Sequence, residues 1–347
     1  MNSASSLRRL GFFSRLLDES DAGERYRLAT AQILHAESEG FDSAWIAQHH
    51  FHEFEGGLPA PLVFLAHVAA RTGRIRLGTG IVTLPMELPI RVAEDAAVLD
   101  LMSGGRLELG VGSGGNPAAF AAFGLVDEDR RGVFERNLAL LADALAGREL
   151  PGGDRIYPAR PELLGRIWHA TFSVNGARHA GACSAGLLLS RTQPRTAESP
   201  DARLSEIQDP MIDAYLAALP HGIEPRILAS RSVFVVDDRA DGLRFAEIGL
   251  RRHQARLAER GHAGAAHLPV EELIRRQDVH LGTPEEVLAS LRTDRVLDRA
   301  TDLAVQVHSV DPPHPFVLRS IELMGRAVAP AIGLPRPGVA VPARRVA

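Results

Sequence analysis

The chain has 347 residues, 45% of them hydrophobic and 24% charged, a globular balance that fits one long α/β barrel or two modest domains. With 39 basic against 43 acidic residues the formal charge is −4, so no electrostatic footprint for nucleic acid is expected. Lysine is absent, which removes Schiff-base lysine chemistry, and the single cysteine, Cys183, removes an intramolecular disulfide, a thiolate zinc site and a Cys-ligated cluster. No apolar run reaches the ~20 residues of a membrane helix, and no signal-peptide core is seen. A cytoplasmic protein without a membrane partner is expected.

Short apolar runs alternate with helical segments along the chain. Leu10–Phe13 reads as a buried strand, followed by a helix over Ala22–Gly40, where Tyr26, Ala29, Ile33 and Ala36 recur at helical spacing. Strand Ser43–Ala47 leads to helix Pro61–Ala70, strand Ile75–Leu84 to helix Pro89–Met102, and strand Leu107–Val111 to helix Arg131–Ala146. After a break at Pro151–Gly153 come strand Ile167–Phe172, helix Gly176–Ala182, strand Gly186–Ser190, helix Leu204–Leu219 and strand Ile227–Val236. Arg239–Arg260 and Glu271–Arg276 read as helices around a loop at Gly261–Leu268, and Thr283–Arg292 opens on a good helix start. Strand Leu303–His308 and helix Phe316–Ala329 close the pattern. Eight strands alternating with helices predict a parallel sheet wrapped by helices. A (β/α)8 TIM barrel is the leading form and an open doubly wound sheet the second. The expectation is one domain over 1–333, with an insertion at about 239–280 between strands seven and eight and a fraying tail at 334–347.

Four segments carry chemistry. Gln48-His49-His50-Phe51-His52 follows the second strand, and in a parallel barrel the C-terminal strand ends open onto the catalytic face. Metal binding is not expected there: His49 and His50 would point apart, and no nearby carboxylate completes a familiar spacing. Loop and packing histidines are the plain alternative. Gly78-Thr79-Gly80-Ile81-Val82 puts glycines inside the third strand, the mark of a bulge or of a close backbone approach. Gly110-Val111-Gly112-Ser113-Gly114-Gly115-Asn116-Pro117 is a Gly-rich strand-to-helix turn whose amides could receive an anion, although it matches neither the dinucleotide fingerprint nor a P-loop. Ser173-Val174-Asn175-Gly176-Ala177 opens a helix, where Ser173 or Asn175 can act as an N-cap and the first-turn amides suit a phosphate.

Phe41-Asp42-Ser43-Ala44-Trp45-Ile46-Ala47-Gln48-His49-His50-Phe51, Gly78-Thr79-Gly80-Ile81-Val82-Thr83-Leu84-Pro85, Pro89-Ile90-Arg91-Val92-Ala93-Glu94-Asp95 and Leu99-Asp100-Leu101-Met102-Ser103-Gly104-Gly105-Arg106, in this order, resemble the bacterial-luciferase-like flavin-dependent monooxygenases. The resemblance covers most of the chain; Gly147–Gly165 and about Arg239–Asp278 match poorly. It implies a (β/α)8 barrel that binds FMN at the strand C-termini. Reduced flavin would come from a separate NAD(P)H-dependent reductase and react with O2 to a C4a-hydroperoxyflavin that oxygenates a small organic substrate.

The same resemblance implies that His49 is the catalytic histidine near the reactive flavin edge, and that Gly80 and Ile81 form a cis peptide against the ring. Ser173, Asn175 and Gly176 would lie on one side of the phosphate, Ser113 and Gly115 on the other. His50 and Glu94 would contact a second subunit, making a homodimer. Phe54, Met86 and Leu88 are the residues picked for the substrate pocket. Three positions depart from the family pattern: Gly112 stands where luciferase has a reactive cysteine, Ser113 where it has a phosphate-binding arginine, and Gln48 where a glutamate usually precedes the histidines. Weaker FMN retention is expected unless Arg178 or Arg15 substitutes. Two other functions stay open: within the same superfamily, an F420-dependent dehydrogenase or reductase, for which a Gly/Ser-rich turn offers few basic groups, and, from another class, a non-catalytic flavin-binding protein.

Overall fold

The computed structural model describes residues 7–126, 129–196, 198–199, 201–259, 267–307 and 312–334. Among the described residues there are ten strands: β1 (Arg9–Ser14), β2 (Ser43–Ile46), β3 (Arg76–Thr79), β4 (Val82–Thr83), β5 (Leu107–Gly112), β6 (Ile167–Ala170), β7 (Gly186–Leu189), β8 (Ile227–Val235), β9 (Val279–Gly282) and β10 (Asp302–Gln306). Every pairing is parallel, and β10 pairs with both β1 and β8, which closes the sheet. β3 and β4 pair successively with β5 and share one barrel position. β9 pairs only with the far end of β8, Ser232–Val235, and stands outside the ring. Eight positions remain, a (β/α)8 barrel.

Helices α1 (Ala22–Ser38), α2 (Pro61–Ala69), α3 (Pro89–Met102), α4 (Pro117–Ala122), α5 (Arg130–Leu145), α6 (Val174–Ala182), α7 (Leu204–Ala218), α8 (Arg239–Glu259), α9 (Val270–Arg276), α10 (Pro284–Leu291) and α11 (His314–Leu323) connect them. The alternation of the strands explains the layering: Phe12, Ile46, Leu77, Leu109, Leu187 and Val305 join the shell between sheet and helices, and the residues between them turn inward. Five expectations need adjustment. The run Ile75–Leu84 is broken at Gly80–Ile81, whose peptide is cis, into β3 and β4. Val279–Gly282, which has no element assigned from the sequence, is a strand because the nine-residue β8 extends past the ring and offers it an edge. A six-residue helix, α4, starts at Pro117 behind the Asn116 cap. The last helix begins at His314 and opens into a π turn over Met324–Val328. Leu334, placed in a fraying tail, is buried in the core, whereas the rest of that tail, 335–347, lies outside the described residues, as do His308 and most of the 261–268 loop.

Trp45 and Trp168 fill the middle of the barrel, edge to face with ring centroids 5.5 Å apart, against Phe13, Ile81, Leu188, Leu228 and Ala304. Two buried indoles fit because facing positions carry no side chain. A Cβ on Gly78 would lie 2.3 Å from the Trp45 ring, and one on Gly186 2.3 Å from the Trp168 ring. The indole N–H of Trp45 donates to Ser43 Oγ at 3.0 Å and that of Trp168 to Glu108 Oε2 at 2.7 Å. At the strand N-termini, Glu108 pairs with Arg76, and Arg9 Nε lies 3.2 Å from Asp302. Ions seal the bottom, indoles fill the middle, and the strand C-termini are left to carry chemistry. Gly186→Ala is expected to cost about 1–3 kcal/mol, because Trp168 cannot retreat within the ring. Urea unfolding reads this as a lower midpoint at unchanged slope; an unchanged midpoint would mean that the indole is loosely held.

Candidate active site

His49 sits in a loop that leaves β2 and folds back, its amide donating to Leu58 O at 3.0 Å. Its Nδ1 lies 3.5 Å from Glu55 Oε2, and the same carboxylate oxygen accepts from Asn116 Nδ2 at 2.9 Å. Glu55 thereby joins the imidazole after β2 to the Gly-rich turn after β5. The next residue, Gly56, has φ +116°, and a Cβ there would lie 1.8 Å from Arg15 O, so only glycine lets the loop approach β1 this closely. Arg15 Nη2 donates to Glu55 O at 3.4 Å. Burial pushes the His49 imidazole below the ordinary histidine range; Glu55 opposes this, and Arg15 adds to it. With Nδ1–H directed at Glu55, the neutral ring keeps Nε2 as an acceptor.

Gln48 is buried between β2 and β4. Its amide N–H groups donate to Glu87 Oε1 at 2.8 Å and Pro59 O at 3.0 Å, while its Oε1 accepts from the Thr83 amide at 2.7 Å. A glutamate at this position could accept from Thr83 but would face the Glu87 carboxylate with a like charge. The departure from the family glutamate is therefore matched by a local partner.

A Cβ on Gly80 would lie 2.6 Å from Phe13 Cε2, and one on Gly112 2.5 Å from Ile81 Cδ1. Ile81 occupies the space a side chain at 112 would need. In the following turn Gly114 has φ +68°, and a Cβ there would meet Thr83 Cγ2 at 2.4 Å. Ser113 is half-buried and Gly115 exposed. The partner turn follows β6, which pairs with β5 as far as Gly112 against Ala170, so the two turns are neighbours. There Ser173 caps α6, its Oγ accepting from the Gly176 amide at 3.1 Å. The Ser173 amide donates to Thr171 Oγ1 at 3.1 Å, and a Cβ on Gly176 would sit 2.0 Å from that hydroxyl. The amides of Val174 and Asn175 take no protein partner among the described residues. They are free donors at the positive end of the helix, the chemistry a phosphate requires.

Asn175 itself is exposed, and its Oδ1 accepts from Arg178 Nη1 at 2.9 Å, so this arginine lies along the helix. Arg130, which the sequence reading passed over, donates to Gly114 O at 3.4 Å and stacks over Phe120 at 5.4 Å. Its signal was weak: it follows a polar stretch and opens α5. Glu55 was also missed, although it is one of two acids in the segment after the histidines.

Other picked residues lie further out. His50 packs against Phe51 and Phe123, with centroids 5.8 and 5.0 Å away, and burial lowers its pKa against the pull of Glu87. Glu94 pairs with Arg91 at 2.6 Å on α3. Phe54 stacks on His52 and lies beneath Arg256. Met86 is half-buried, and Leu88 is 72% exposed at the N-cap of α3. Among the described residues no group of His, Cys, Asp or Glu is arranged to hold a metal ion, and no helix is long and apolar enough to cross a membrane.

The chain matches the luciferase-like monooxygenase family over residues 11–300 and belongs to it. It is 29% identical over 321 residues to 4-hydroxyprotoasukamycin monooxygenase of Streptomyces nodosus subsp. asukaensis, which covers 84% of this chain and 82% of that one. It is similar to the crystal structure of the monooxygenase RslO1 of Streptomyces bottropensis, with TM-score 0.75 and 25% identity over 93% of this chain and 99% of that one. The FMN complex of the oxygenating constituent of 3,6-diketocamphane monooxygenase, from a Pseudomonas putida plasmid, shares the fold, with TM-score 0.71 and 18% identity over 95% and 100% of the two chains. Family and fold together support a flavin-dependent monooxygenase-type reaction.

The His49 environment makes a prediction of definite sign. Glu55 favours the imidazolium, so Glu55→Gln is expected to move the already low His49 titration midpoint further down. NMR titration of the imidazole protons reads it; an upward shift would mean that Glu55 does not act on His49.

Proposed function

We propose that the protein is an FMN-dependent monooxygenase that takes reduced FMN from a separate NAD(P)H-dependent reductase and, with O2, oxygenates a small organic substrate in the cytoplasm. The observation that carries this reading is the convergence of His49, the close-packed backbone at Gly80 and Gly112 and two neighbouring amide-rich turns on one face of a closed barrel. The donor set fits FMN: free amides at α6 with Ser173 and Gly176 for the phosphate, and Ser113 and Gly115 across from them. Arg130 takes the part expected of Arg178 or Arg15, supplying the cation absent at position 113. Gly80, Gly112 and Ile81 offer a flat, side-chain-poor surface to a ring. Bound reduced FMN supplies O2 activation at its C4a. The protein orients the ring, excludes water and holds a proton acceptor at His49 Nε2.

Ser173→Ala is expected to weaken FMN binding about tenfold while leaving riboflavin binding unchanged, since only FMN carries the phosphate. Fluorescence-quenching titrations of both flavins test this, and equal losses would remove the phosphate from this turn. Reduced FMN on the protein should reoxidise in air more slowly than in free solution, and His49→Ala should abolish transfer of label from 18O2 to an added substrate. Reoxidation at the free rate, or hydride chemistry with F420 in its place, would sink the monooxygenase reading.

We further propose a homodimer through α2 and α3, whose outer faces expose Val63 (72%), Leu101 (49%) and Met102 (66%). Met102→Glu is expected to shift the mass seen by light scattering from two chains to one; a wild-type chain that is already monomeric would refute the assignment.

A further inference from the structure

Arg191 follows β7 at the barrel mouth, one strand along from β6 and its amide-rich turn. Its Nε donates to Gln306 Oε1 at 2.8 Å and its Nη1 to Ser232 Oγ at 3.2 Å. Both partners belong to the inner face of the barrel. Ala304 and Leu228 point into the interior cluster, and the two-residue repeat of a strand puts Gln306 and Ser232 on the same side, above them. No carboxylate contacts Arg191 among the described residues. Burial, and then the Arg15 cation, push the guanidinium down to about 9.

Gln306 supplies an independent observation. It is fully buried, and its Nε2 has no hydrogen-bond partner. The amide cannot be turned round to relieve this, because a guanidinium only donates and must meet the amide oxygen. A cation without a counter-ion and a buried N–H without an acceptor therefore lie side by side above Leu188 and Leu228. Each is costly alone, and both require the same thing, an oxygen acceptor with negative charge. The phosphate turns follow β5 and β6, while Arg191 on the neighbouring β7 reaches the other way round the ring, to Ser232 of β8 and Gln306 of β10, so this is a second anion position.

We propose that Arg191 and Gln306 Nε2 receive the carboxylate of an apolar organic acid, which makes the substrate a carboxylate-bearing compound with its apolar part directed at Leu188 and Leu228. This rests on the reading of the same mouth as a flavin-dependent active site.

The first arm of the test needs no flavin. Calorimetric titration of the protein with hexanoate and with hexanamide should show hexanoate bound at least about tenfold more tightly. Arg191→Met should erase that preference. So should Gln306→Glu, which is isosteric and supplies Arg191 with a carboxylate of its own. Unfolding temperatures should stay within a few degrees of wild type, and FMN affinity should change less than twofold in both variants. Equal binding of acid and amide by the wild type would overturn the proposal, as would a preference that survives Arg191→Met. A loss of FMN affinity as large as that of hexanoate would also overturn it, assigning Arg191 to the flavin. If hexanoate is preferred as expected but FMN does not bind, the carboxylate site stands and the monooxygenase reading falls.

Discussion

The packing of two indoles inside one small barrel governs the rest of the molecule. Trp45 and Trp168 occupy the interior only because Gly78 and Gly186 yield the space opposite them. With the middle filled and the bottom closed by the Arg76–Glu108 and Arg9–Asp302 pairs, nothing can bind deep in the ring. Ligands are confined to a mouth at the strand C-termini, and parallel pairing brings every catalytic loop to that rim. The same strategy of omitted side chains recurs higher up, at Gly80, Gly112 and Gly114, where backbone forms the working surface.

Electrostatics divide that mouth. On the β2 side, a neutral imidazole is backed by a carboxylate that is itself held by Asn116. On the β5–β6 side, helix α6 presents unspent amides. On the β7–β10 side, Arg191 lies over a buried glutamine. Arg15 acts on both His49 and Arg191 and lowers the proton affinity of each. A site with so little fixed negative charge favours electron-rich oxygen, whether in a phosphate, a reduced ring or an acid.

Much of this was legible in the order of residues. All eight barrel positions show as apolar runs between helical segments, because strands buried on both faces need continuous hydrophobicity. The short turns around Ser113 and Ser173 were equally visible, since glycine and cap residues advertise themselves locally. β9 was not: four residues containing a histidine carry no period, and the edge that makes them a strand belongs to β8, some 45 residues earlier along the chain. The Glu55–Asn116 contact spans 61 residues, and the Gln48–Glu87 contact 39. Each partner alone is an unremarkable polar side chain, and only closure of the ring gives it a role. Leu334 was misjudged for the opposite reason: a Pro-rich surrounding suggested fraying, but one leucine reaches the core.

The crowding of Ile81 against Gly112 has a practical side. With position 112 closed to a side chain, the rim carries no thiol, and the chain's one sulfhydryl, Cys183, lies at the opposite end of α6 from Ser173. A maleimide dye could therefore be attached there without entering the mouth. It would ride on the helix whose first turn is assigned to the phosphate, so docking of a cofactor could be followed as a change in the colour or lifetime of the dye.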